Sequence, residues 1–85
     1  MRVRRTLKMD DIDEAEKNAK ERILRARPNA KDIVVTKAAA EMRVASGFAH
    51  PVWVVSGGFK EEEKPHTFEV IFSPDGSRLI SREIH

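Results

Sequence analysis

Three histidines, His50, His66 and His85, are the side chains in this sequence that titrate near neutral pH, and no cysteine accompanies them. A metal site built from them would need a spacing such as HxH or HExxH, and none of the three takes part in one. Nucleophilic catalysis by serine needs a base and an orienting third group on a sharp strand-to-helix elbow. Ser46, Ser56, Ser73, Ser77 and Ser81 fall instead in turn segments or strand patterns. The acidic run Glu61-Glu62-Glu63 lies in a charged, loop-like stretch where solvent screens carboxylates, so acid/base chemistry is not expected of it. Gly57-Gly58 does not lead into a helix and therefore reads as hairpin geometry, not as a phosphate cradle. These residues together predict a protein that is not an enzyme and holds no metal or cofactor.

The elements that position these residues are legible in the periodicities. Met9, Ile12, Ala15, Ala19, Ile23 and Ala26 recur at steps of three and four, which predicts one amphipathic helix over about residues 10–27. Its start is acidic and its end basic, matching the helix dipole, with Asp10 as N-cap and Pro28 as the stop. The β-branched run Ile33-Val34-Val35-Thr36 opens a strand. The alanines at 38–40 favour helix by propensity, but the alternation of Val34, Thr36, Ala38, Ala40, Met42 and Val44 suits one long strand over 33–45, with a bulge near the alanines. Ser46-Gly47 turns the chain, and Val52-Trp53-Val54-Val55 marks a second strand over 51–56 that is apolar on both faces. A charged hairpin loop over Gly57–Pro65 leads to a third strand over 66–72. The turn Ser73-Pro74-Asp75-Gly76 then precedes a fourth strand over 78–84. The expected fold is a single α+β domain spanning 1–85: one N-terminal helix on a four-stranded antiparallel meander, preceded by a basic tail at 1–8.

Composition narrows the partners. The 16 basic and 14 acidic side chains give a net charge of only +2, weaker than the field a nucleic-acid binder usually carries. Residues 1–31 hold ten basic and six acidic side chains and the remainder six and eight, so the positive charge is concentrated in the N-terminal third. Arg2, Arg4, Arg5 and Lys8 with the helix-end Arg25 and Arg27 form the candidate site for an anion or nucleic acid, the alternative reading. Four phenylalanines, one tryptophan and no tyrosine leave few platforms for base stacking. Charged residues follow the N-terminal basic stretch where a signal peptide needs an apolar one, and no membrane span is visible, so a cytoplasmic location is expected.

The principal reading is geometric. One helix covers one face of a four-stranded sheet, whereas the strands offer apolar residues on both. If Val52 and Val54 share a face with Phe68, Val70 and Phe72, then Trp53, Val55 and Ile71 point away from it. That face, with Phe59, Lys60 and Arg78 as further contact residues and charged rims from Lys60 to Lys64 and the helix-end arginines, would meet another protein or a second copy of the chain. The alternative is a sheet curled around the helix with Trp53 capping the core.

The segments DEAEKNAKERI (13–23), PVWVVSGG (51–58) and TFEVIFSPDGSRLISREI (67–84) resemble small PepSY-like and NTF2/cystatin-like α+β domains, including the NTF2-fold immunity proteins. The resemblance implies a binding role, as an inhibitory module beside a peptidase or as a blocker of a partner toxin, and it carries no catalytic residue with it. PepSY domains normally follow an export signal; none precedes the helix here, and the resemblance then implies a cytoplasmic binder or inhibitor.

Overall fold

In a computed structural model the protein is described over residues 12–85, the side chain of Ala45 apart. One helix, α1 (Ile12–Ala26), precedes four strands, β1 (Lys31–Ala45), β2 (Phe48–Glu61), β3 (Lys64–Phe72) and β4 (Leu79–Ile84). The strands form one antiparallel sheet in the order β1-β2-β3-β4, the expected α+β meander. The expected basic tail, the first helical residues and the Asp10 cap lie outside the described residues.

The helix seats on the sheet through small side chains. Ala15, Ala19 and Ile23, at the expected spacing, are fully buried and pack with Trp53, Val55, Phe59, Phe68, Val70 and Phe72. Alanine at two successive turns brings the helix backbone close to the sheet, where the aromatic rings fill the space its short side chains leave. Two polar clamps fix the helix lengthwise. Asn18 Nδ2 and Arg22 Nη2 donate to the Gly76 carbonyl in the β3–β4 turn at 3.0 and 2.7 Å, and the Arg22 guanidinium lies 5.7 Å from the Phe72 ring centre. At the other end Arg27 pairs with Glu61 at 2.7 Å. Burial, with Arg25 and Arg82 nearby, holds the Arg22 pKa below its ordinary value.

β1 is one continuous strand, so the alternation of its side chains prevails over the helix propensity of its alanines. Two irregularities interrupt its pairing with β2, one between Lys31 and Val34 and one between Val35 and Lys37, the second just before the alanines. The first contains Asp32 at a φ of 54°.

Two features differ from the expectation, and one causes the other. The segment 57–65 is not a loop: β2 runs to Glu61 and β3 begins at Lys64, with only Glu62-Glu63 between them. Both glutamates have positive φ, 54° and 68°, the pattern of a type I′ turn that usually selects Asn-Gly. A two-residue turn fixes the register so that Trp53 faces Phe72, Val55 faces Val70 and Gly57 faces Phe68. Trp53 and Val55 therefore share the helix-covered face with Phe68, Val70 and Phe72, while Val52, Val54 and Ile71 form a separate cluster on the opposite face. The expected pairing of faces is reversed, because a one-residue change in register moves every side chain of a strand to the other side.

Gly57 and Gly58 accordingly serve the interior of a strand. A Cβ on Gly57 would run into the Val34 carbonyl of the bulged β1 and come within 2.9 Å of the Phe68 ring. Glycine lets the bulged backbone and the aromatic ring close over the same position.

Candidate functional site

The residues singled out as a partner-binding face separate in the structure. Trp53 and Val55 are fully buried under the helix and Phe59 retains 3% of its surface, so these three are core and not an exposed anchor. Among the described residues the Trp53 indole N–H finds no acceptor, a cost of about 1–3 kcal/mol offset by the packing of its ring. Ile71 lies on the opposite face with Val52 and Val54. Lys60 and Arg78 are exposed on the surface. Of the alternative anion site, Arg25 is exposed, Arg27 is engaged by Glu61, and Arg2, Arg4, Arg5 and Lys8 lie outside the described residues.

The exposed apolar surface is elsewhere. β1 and β2 are 15 and 14 residues long, whereas β3 has nine, and β3 first meets β2 at the pair Phe72 with Trp53. The far part of the β1–β2 hairpin, about Glu41 to Val52, therefore projects beyond β3 as a two-stranded ribbon around the Ser46-Gly47 turn. This ribbon carries Met42, Val44 and Phe48 at 62, 77 and 68% exposure, and β4 adds Ile80 at 50%. Side chains of this kind left in water forgo roughly 1.5–3 kcal/mol each relative to full burial, so their gathering at one end marks a surface suited to a partner.

Where the ribbon leaves the sheet, a groove of about 510 Å³ forms against β3 and the β3–β4 turn. Val44, Pro51, Val52, Ile71 and Ile80 supply its apolar lining, and Arg43, His50 and Arg78 stand at its edges. Ser73 and Pro74 form the turn-side wall. That wall is held rigid by Asp75, whose carboxylate accepts from the Ser73 and Ser77 hydroxyls at 2.7 and 2.8 Å and from the Ser77 amide at 3.0 Å. These bonds, the Ser77 amide foremost, hold the carboxyl at a pKa of about 2. Gly76, at a φ of 76°, completes the turn and offers its carbonyl to Asn18 and Arg22, so the wall is tied to the helix. The groove accordingly presents an apolar floor with cationic edges on a braced frame.

The histidines do not converge. His66 stacks on Phe59 at 5.2 Å with Nδ1 3.1 Å from the His85 carbonyl, and His50 lies 6.5 Å from Phe48 on the ribbon. Among the described residues no group of three or more His, Asp or Glu side chains is arranged to hold a metal ion, and no helix is long and apolar enough to cross a membrane.

Sequence reasoning missed Met42, Val44, Phe48 and Ile80. The first two were absorbed into the alternation of β1 as though its whole length were covered, and Phe48 follows directly on the turn. The usable signal was strand length: a long hairpin beside a nine-residue strand must project.

Compared with known proteins, the chain matches no family model, no curated protein and no solved structure.

Proposed function

We infer that the chain is a small non-enzymatic protein-binding module, an inhibitor or immunity-type protein in the sense that PepSY-like and NTF2-fold domains suggest, which acts by occluding a partner's surface. The observation that carries this reading is the apolar groove lined by Val44, Pro51, Val52, Ile71 and Ile80, of which Val44 and Ile80 are exposed to water. Interfaces draw most of their energy from a few apolar or aromatic anchors in desolvated pockets with a charged rim around them. Val44 and Ile80 are the anchors here, and Arg78 at the groove favours a partner with acidic residues beside an apolar one.

A displayed-peptide selection tests this. Peptides that pair an apolar residue with acidic neighbours should enrich on the wild-type protein and be lost on the double variant Val44→Asp/Ile80→Asp, while Arg25→Ala, outside the groove lining, should keep them. Enrichment that survives the double variant would place binding elsewhere. The anion-binding alternative has less support among the described residues, because Arg27 is already neutralised by Glu61.

A further inference from the structure

β1 is an edge strand: among the described residues its only neighbour is β2, so one side of its 15-residue backbone has hydrogen-bonding groups without a strand partner. Natural edges are usually protected by bulges, prolines, short length or charged side chains, and Lys37, Glu41 and Arg43 are the charges on this one. Here the two irregularities fall at or before Lys37, and the stretch from Lys37 to Ala45 pairs regularly with β2 and contains no proline. The protected half and the open half of the same edge are thus distinct. The open half also carries Met42 and Val44, at 62 and 77% exposure.

We propose that this open half pairs with the same segment of a second copy, antiparallel about a two-fold axis through Met42, joining two sheets into one of eight strands. The assignment to a second copy rests on self-complementarity. With Met42 opposite Met42 of the other copy, Glu41 faces Arg43 and Arg43 faces Glu41, so the axis creates two opposite-charge pairs at once, and Ala40 faces Val44 on either side of the methionines. Neighbouring registers lose this match. An axis at Ala40 sets Lys37 against Arg43, one at Glu41 sets two glutamates against each other, and one at Arg43 sets two arginines against each other. An axis at Ala39 would join Lys37 to Glu41 but carries the pairing across the irregularity at Val35/Lys37 after five residues. Within one copy Glu41 lies 3.2 Å from Arg43 and 3.6 Å from Lys37, all three partly exposed, and such contacts exchange at little cost for cross-strand ones.

The proposal rests on the reading of the hairpin end as an interaction surface and names its partner. The chain lacks cysteine, so a single introduced thiol reports proximity without interference. Met42→Cys, placed on the axis, should form a disulfide-linked dimer under mild oxidation, since residues directly opposite in an antiparallel pair have Cα atoms about 4.5–5.5 Å apart. Val34→Cys, on the protected half, should cross-link far more slowly. Sedimentation across a concentration series should show a monomer–dimer equilibrium. Glu41→Arg and Arg43→Glu should each weaken it on the order of tenfold, through two like-charge contacts apiece. The double exchange Glu41→Arg/Arg43→Glu should restore it. A protein monomeric up to millimolar concentration, equal cross-linking at the two cysteines, or a double exchange no better than the single ones would each overturn the pairing. A monomer that still enriches peptides at the groove would refute the dimer while leaving the binding reading intact.

Discussion

Glu62 and Glu63 occupy the two central positions of the β2–β3 turn with φ of 54° and 68°, where a side chain with a Cβ is strained. Each such residue costs on the order of 1 kcal/mol relative to glycine, and asparagine tolerates the region better than glutamate. Substituting Glu62→Asn and Glu63→Gly should therefore stabilise the protein by about 1–2 kcal/mol, with glycine's larger loss of freedom on folding already limiting the gain. Glu61, which holds Arg27, is left in place. Urea unfolding followed by the fluorescence of Trp53, the single tryptophan and a core residue, provides the assay. For a small protein losing about 1–2 kcal/mol per molar urea, the midpoint should rise by roughly 1 M with an unchanged slope. Glu62→Gln/Glu63→Gln removes the same two charges without relieving the backbone and should move the midpoint by much less. An Asn-Gly variant no more stable than the Gln-Gln variant would refute the two-residue turn, and with it the register that turns Trp53 toward the helix.

Three further perturbations have defined outcomes. Trp53→Ala should cost about 3–5 kcal/mol of folding stability, because the ring is fully buried beneath Ala15, Ala19 and Ile23; a loss under 1 kcal/mol in a chemical melt would contradict its place in the core. Gly57→Ala should destabilise by about 2–4 kcal/mol, since the added Cβ meets the Val34 backbone and not a flexible side-chain end, whereas Gly47→Ala meets open space and should suffer only from its φ of 81°. Asp75 titrates at about 2 in the folded protein, below the roughly 3.9 of an unfolded chain, so its contribution is complete above about pH 4 and is lost as pH falls toward 2. Unfolding measured between those values should show a steeper pH dependence in the wild type than in Asp75→Asn.

The helix and the order of the strands were legible because each is written in a local period: Ala15, Ala19 and Ile23 at helical steps, and alternation along β1 strong enough to override three alanines. The Ser46-Gly47 and Asp75-Gly76 turns were legible because each contains a glycine at positive φ, Gly47 and Gly76. The register of β2 on β3 was not, because it depends on a turn made from two glutamates, which carry no turn signature and look like part of a charged loop. That one hidden turn decided whether Trp53 or Val52 faced the helix, and so displaced the expected binding face. The projecting ribbon was hidden for a related reason. Periodicity shows which side chains share a face, but only the relative lengths of neighbouring strands show where that face runs out of cover.

The binding reading is tested most directly by two-dimensional amide NMR of the full chain during titration with small apolar probes such as phenol and isopropanol, which collect where a protein surface is suited to a partner. The account predicts shifts concentrated at Val44, His50, Val52, Ile71, Arg78 and Ile80, the lining of the groove. Shifts spread evenly over the surface, or centred on the exposed side of α1 around Leu24 and Arg25, would contradict it.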